Sequence, residues 1–223
     1  MVYRSEVMVP YEGAFIPVVV RNYTRDDFEA MISLQAECFP PPFPEELWWN
    51  EEQLENHVRL FPEGAICVEY KGRIIGSMTG LRVDFDSKEP EHKWEDVTDN
   101  GYIRTHKPDG NTLYIVDICN SPAFRKAGLG KLMMQANYQL AVKLDVKRVL
   151  GGGRIPGYGK VAGEMSAEQY VEKVVQGTLK DPVVTFLLRC GRMPVTLIEN
   201  YLEDEESHNY ALLMEWKNPF RTD

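Results

Sequence analysis

Leu113-Tyr114-Ile115-Val116-Asp117-Ile118-Cys119-Asn120-Ser121-Pro122-Ala123-Phe124-Arg125-Lys126-Ala127-Gly128-Leu129-Gly130 reads as a buried strand, a short basic turn with two glycines, and the start of a helix. The strand is an almost unbroken run of β-formers. After the turn, Leu129, Leu132, Met133, Ala136 and Leu140 recur at helical spacing on one face. A helix N-terminus presents unpaired N–H groups and the positive end of the peptide dipoles, and glycine lets a ligand approach the backbone. The stretch therefore predicts an anionic cofactor at residues 125–130.

The elements around this core follow from local signals. Residues 18–23 form a first predicted strand. Thr24-Arg25-Asp26-Asp27 has the pattern of a capping box and opens a helix that runs to about Cys38, where Phe39-Pro40-Pro41-Pro42-Phe43-Pro44 ends it. Asn50-Glu51-Glu52-Gln53 caps a second helix, to about Leu60. Residues 64–70 and 73–83 read as a hairpin turned at Lys71-Gly72. Residues 84–111 turn polar and read as an insertion, folded over by Trp94, Tyr102 and Ile103. A short strand then runs into Gly151-Gly152-Gly153-Arg154-Ile155-Pro156-Gly157-Tyr158. Helices start at Ser166 and Asp181, and residues 195–202 and 210–216 make a last antiparallel pair. The order is β-α-α-β-β-β-α-β-α-α-β-β, a mixed α/β layer arrangement expected to form one domain over residues 1–223.

Composition excludes several classes. The chain has 223 residues and a formal net charge of −9, which argues against nucleic acid as the main partner. No apolar run approaches the roughly 18 residues of a membrane span, and the first residues lack a signal-peptide pattern. Cys38, Cys67, Cys119 and Cys190 are far apart in apolar settings, so reduced core thiols in a cytoplasmic protein are expected. The four histidines show no metal-ligand spacing, and no metal is expected.

Ser121-Pro122, the Arg125-x-x-Gly128-x-Gly130 turn, the strand before it and the helix after it resemble the acyl-CoA signature of the GNAT superfamily of N-acetyltransferases. The resemblance covers residues 18–218. Gly151 to Tyr158, with the Asp181-Pro182 helix and the last strands, resembles a GNAT subgroup sometimes found beside a nitrilase-like domain, for which this chain has no room. The resemblance implies a mixed, mostly antiparallel sheet flanked by helices on both faces. It implies acetyl-CoA as co-substrate, with its pyrophosphate at Arg125, Lys126, Ala127, Gly128, Leu129, Gly130 and Lys131 and its pantetheine arm along Ile118, Cys119 and Asn120. It further implies direct transfer to the amine of a small-molecule acceptor, and leaves a homodimer open. A non-catalytic acyl-CoA-binding regulatory module is the competing reading.

Proton transfer needs other residues. Asp117, an acid inside an apolar strand, is either the general base or a structural acid satisfied by backbone N–H groups or an arginine; Glu199 and Glu215 are weaker candidates. Many members of the resembling family carry a tyrosine four residues before a Gly-Phe pair. Here those positions hold Leu187 and Gly191-Arg192, and leucine cannot protonate a thiolate. Tyr158 is the first substitute, unless it packs the turn it sits on, and Tyr201 is the next. Cys119 lacks a histidine in reach and is not expected to act as nucleophile. Trp48, with Phe39 to Phe43 and Trp49, is expected either to wall the acceptor site or to pack in the core. Arg154 either holds a substrate carboxylate or pairs with an internal acid.

Overall fold

The computed structural model describes residues 3–86, 88 and 90–221. One eight-stranded sheet runs from end to end, in the order β1-β2-β3-β4-β5-β6-β8-β7. Its strands are β1 (Arg4–Tyr11), β2 (Ala14–Asn22), β3 (Ala65–Tyr70), β4 (Arg73–Val83), β5 (Thr112–Asn120), β6 (Arg148–Arg154), β7 (Met193–Ile198) and β8 (Ala211–Lys217). Only β5 and β6 run parallel. The helices are α1 (Phe28–Cys38), α2 (Glu51–Leu60), α3 (Trp94–Thr98), α4 (Leu129–Lys143), α5 (Ala167–Val175) and α6 (Val184–Arg189).

The two faces of the sheet are told apart by side-chain alternation. Asp117 and Cys119 of β5 meet Gln35 of α1. A side chain at Gly76 of β4 would instead meet Met133 of α4. Because neighbouring strand residues point to opposite faces, α1 and α4 cover opposite sides, and the main core fills both layers. Within α4 the buried residues include Leu129, Met133, Met134, Ala136, Leu140 and Ala141, which is the expected stripe turned slightly, since Leu132 stays half-exposed.

Local signals work as the residue types require. Thr24 and Asp27 form the capping box ahead of α1, and Arg21 grips Asp27 through two bonds of 2.7 and 2.8 Å while also holding Glu69. Asn50 and Gln53 satisfy each other's backbone N–H at 2.9 Å before α2. Asp181 accepts four donors. The N–H groups of Val183 and Val184 reach Oδ1, while the Tyr170 hydroxyl and the Gly157 N–H reach Oδ2. A buried carboxylate satisfied in this way ties the Ile155 to Tyr158 turn to α5 and α6.

Two elements depart from the sequence expectation. The chain begins with a hairpin, so the first predicted strand at 18–23 is the end of β2, and β1 precedes it. Pro10 and Pro17 hide this hairpin in the sequence. Pro10 is tolerated because β1 is the sheet edge, and Pro17 because the β2–β3 ladder starts only at Val19. The segment 84–111 contains α3, anchored where the Trp94 indole N–H donates to the Val116 carbonyl at 3.0 Å. No helix among the described residues is long and apolar enough to cross a membrane.

Candidate functional site

The site begins where β5 and β6 part. Their parallel ladder joins only Thr112–Tyr114 to Arg148–Leu150. Beyond it β5 stays paired with β4 as far as Asn120, and β6 stays paired with β8 as far as Arg154. The two strands therefore splay, and the edge of β5 that faces β6, including Ile118, Cys119 and Asn120, has backbone groups with no strand partner.

At the wide end of this gap lies the turn into α4. Lys126 (φ 73°) and Gly128 (φ 81°) adopt the left-handed region, which aims successive N–H groups at one side. The N–H groups that open α4 have no intrahelical acceptor until Leu132, which bonds to the Gly128 carbonyl. Arg125, Lys126 and Lys131 are exposed, and among the described residues none of them forms an ion pair. The two glycines differ. A Cβ at Gly128 would enter open space, so its face is free for a ligand. A Cβ at Gly130 would come within 2.9 Å of the Phe186 ring, so this glycine serves the packing of α6 against α4. Beside it Asn120 is half-buried, and its Oδ1, buried against Gly76 of β4, has no partner.

A cavity of about 140 Å³ runs through the gap between the two faces of the sheet. Phe39, Phe43, Leu47, Trp49, Trp94 and Leu187 give it apolar walls, and Gly151 to Gly153 of β6 form part of its floor. Asp117 opens onto it. Gln35 donates to Asp117 Oδ2 at 2.8 Å, and burial pushes this carboxyl up from 3.8 to about 6, against the opposing pull of Gln35, the Ile118 N–H and Arg154. Such a group is ionised at neutral pH yet basic enough to take a proton.

Arg154 lines the same cavity and is already paired. Two bonds of 2.6 Å hold it to Asp204, a third of 3.1 Å reaches Glu206, and its guanidinium lies over the Phe43 ring. Of the two roles open to it, pairing with internal acids is the one it fills.

Tyr201 also lines the cavity, and its hydroxyl begins a hydrogen-bonded chain. Tyr201 Oη lies 2.7 Å from Tyr114 Oη, which lies 2.7 Å from His92 Nε2, and His92 Nδ1 lies 2.7 Å from the Pro90 carbonyl. A carbonyl only accepts, so Nδ1 carries the hydrogen and Nε2 of the neutral ring accepts from Tyr114. The Tyr114 oxygen is then left to accept from Tyr201. Burial pulls His92 down, which keeps the ring neutral. His92 faces a second, surface cavity lined by Lys93, Glu168 and Glu199.

Other expected residues fall elsewhere. Tyr158 is not among the residues that line the cavity. Its ring sits between Tyr170, His208 and Tyr210, which is packing of the turn. Trp48 also lies outside the cavity wall. Its indole N–H braces the proline loop by donating to the Phe39 carbonyl at 2.9 Å, and the neighbouring Trp49 is the one that lines the cavity. Glu199 accepts from the Tyr210 hydroxyl, and Glu215 pairs with Arg148. Cys119 is held by Ser77 and Gln35, and hydrogen bonding with Cys38 together with burial pushes its thiol well above the ordinary range, far from a nucleophile. His57 is fully buried, between the Tyr23 hydroxyl and the Gly101 carbonyl. Sequence reading alone did not single out Gln35, Trp94, Tyr114, His92 or Arg192. Two signals stood in the sequence: Gln35, a polar residue at an apolar position of an amphipathic helix, and Arg192, a cation where the resembling pattern has phenylalanine.

Residues 28–153 match the family described as "Acetyltransferase (GNAT) family". The chain is 55% identical over 220 residues to "Uncharacterized N-acetyltransferase YkwB" of Bacillus subtilis (strain 168), covering 99% of this chain and 97% of that protein. It is 41% identical over 202 residues to "Probable hydrolase YhcX" of the same organism; the match covers 90% of this chain but only 39% of that longer protein. Among solved structures, "GphF GNAT-like decarboxylase in complex with isobutyryl-CoA" superposes with a TM-score of 0.77 at 22% identity, over 89% of this chain and 98% of that one, a likeness of fold.

Proposed function

Because the chain belongs to the acetyltransferase (GNAT) family and is an acyltransferase, we propose that it moves an acetyl group from acetyl-CoA directly to the amine of a small molecule. The observation that carries this reading is a single continuous space. It is the cavity where β5 and β6 part, lined by Asp117 and by Ile118 of the splayed edge, and the unpaired N–H groups at the start of α4 follow at the end of that same strand. The residues present fit an acyl-CoA: N–H donors and three exposed cations for phosphate, and free backbone groups for amide contacts. Bound there, the thioester supplies the acyl group.

The rest falls to the protein's own residues. Asp117 takes the proton that an ammonium acceptor must lose before it attacks. Gln35 orients that carboxylate through its 2.8 Å bond. The apolar walls keep water from competing for the acyl group. As the C–N bond forms and the C–S bond breaks, Tyr201, in place of the tyrosine absent at Leu187, turns its hydroxyl hydrogen from Tyr114 to the departing sulfur and is reprotonated by the second proton that the attacking nitrogen sheds. Acetylation of an ammonium releases one proton overall, the one that Asp117 took, and it leaves to solvent as the carboxylate ionises again. Residues 1–223 act as one domain with 84–111 as an insertion, a reading supported by one sheet that spans Arg4 to Lys217. Membership of an enzyme family does not favour the non-catalytic alternative.

The test is release of CoA thiol from acetyl-CoA across a panel of small amines, with melting temperature measured in parallel. Acetyl-CoA should raise the melting temperature, since a ligand of the native state alone stabilises it. No shift at millimolar acetyl-CoA overturns the proposal.

A further inference from the structure

The cavity contains a cation that nothing neutralises. Arg192, at the start of β7, is 1% exposed. Its Nη2 donates to the carbonyls of Met214 and, at 3.4 Å, Val149. Met214 stands opposite Pro194 in the β7–β8 ladder, and proline brings no N–H, so that carbonyl is left for the guanidinium. The Nε has no acceptor.

Among the described residues no carboxylate pairs with Arg192. The titratable groups that face it are the phenols of Tyr114, Tyr138 and Tyr201 and the thiol of Cys190, all raised by burial and neutral at pH 7. Arg21, Arg148 and Arg154 each hold a carboxylate. The chain has 34 acidic residues, so composition does not explain the missing partner. Burial draws the guanidinium down to about 10, which leaves it charged at neutral pH. A buried ion without a partner is costly, and a ligand of opposite charge offsets that cost. Arg192 lines the same cavity as Asp117, at the position where the resembling pattern has phenylalanine.

We propose that Arg192 is a carboxylate-recognition site, and that the molecule the cavity takes carries a carboxylate which receives its free N–H groups. This rests on the reading that the cavity holds the reactants. The carboxylate has two sources, an amino-acid acceptor or a dicarboxylic acyl group on the donor, and the chemistry at Arg192 is the same for both.

Matched pairs separate them. In the acceptor arm, L-alanine is compared with ethylamine and glycine with methylamine, using acetyl-CoA. In the donor arm, succinyl-CoA is compared with butyryl-CoA, both as the shift in melting temperature and as CoA release. One arm should show a preference of at least about tenfold for the carboxylated partner. Arg192→Gln, which removes the charge and keeps an amide donor, should collapse that ratio towards one. Arg192→Lys should keep part of it, because the charge remains without the planar fork. No preference in either arm, or a preference that Arg192→Gln retains, overturns the proposal. Turnover of uncarboxylated pairs in that case leaves the acetyltransferase reading standing, and the donor arm reads binding even without turnover. Should Arg192→Gln fail to fold, the wild-type pairs and Arg192→Lys decide the matter.

Discussion

Replacing Asp117 by asparagine should stabilise the protein and disable it. The native fold raises this carboxyl from 3.8 to about 6, chiefly by burial. The native state therefore binds the proton more tightly than the unfolded chain does. Between about pH 4 and pH 6 stability falls as pH rises, and above that window the full cost remains. At about 1.36 kcal/mol per pH unit the cost reaches nearly 3 kcal/mol, reduced to about 2 kcal/mol because one side of the group faces the cavity. Asparagine has the same shape, keeps an oxygen for Gln35 and carries no charge. At pH 7.5 Asp117→Asn should melt several degrees above wild type, on a scale of about 2–4 °C per kcal/mol for a chain this size. Near pH 4 the two curves should meet. Wild-type activity should fall below about pH 6 as the base protonates, and the variant should be about a hundredfold or more slower at pH 7.5, a gap that narrows as pH falls below 6. Urea denaturation and thermal melts at pH 4.5, 5.5 and 7.5, with thiol release, measure all of this. A stability difference that does not change with pH would refute the buried-carboxylate reasoning, and a variant that keeps its rate would refute the base.

Gly128→Glu should lose the melting shift with acetyl-CoA by setting a carboxylate where phosphate belongs; its Cβ meets nothing, and its φ of 81° costs the free protein about 1–2 kcal/mol, read as its own melting temperature. Gly130→Ala should act through packing, lowering the melting temperature as the methyl meets Phe186 at 2.9 Å. Tyr201→Phe should cut the rate by about tenfold or more while costing only about 1 kcal/mol of stability for the lost bond to Tyr114, checked by thiol release and urea titration. Gly152→Ala should cost about 1–3 kcal/mol in the same titration, because its Cβ would lie 2.4 Å from Tyr201 Cζ.

The central strand, turn and helix were legible because three independent signals coincide within residues 113–143: continuous β-formers, glycines at a left-handed turn, and a helical apolar stripe. Helix starts at Thr24, Asn50 and Ser166 were legible for the same local reason, since a capping box is written within four residues. The cavity was less so. Asp117 and Arg154 stand out in sequence as charges within strands, and both line it. Tyr158 and Trp48 matched by residue type, but their side chains point elsewhere, a matter of side-chain direction that residue type does not carry. The Tyr201, Tyr114 and His92 chain joins three distant segments, one of them in the insertion, and no spacing announces it. Arg192 showed in sequence as a departure from the resembling pattern, but what marks it as a site, the absence of a carboxylate neighbour, shows only in the fold.

The three glycines of β6 bear on how this enzyme could acquire a new substrate. Each has a different occupant against its bare backbone: Arg192 and Ile115 at Gly151, Tyr201 at Gly152, Leu187 at Gly153. The floor is thus main chain with no side chain to exchange, and a methyl at Gly152 or Gly153 would collide with its neighbour before reaching the substrate. Selectivity can drift through the side chains of the walls, at Phe39, Leu47, Trp49, Leu187 and Arg192, which belong to helices, loops and turns that adjust independently. A lineage that altered its acceptor would then change the rim while the floor stayed constant, and directed evolution of this scaffold should recover its gains at those wall positions.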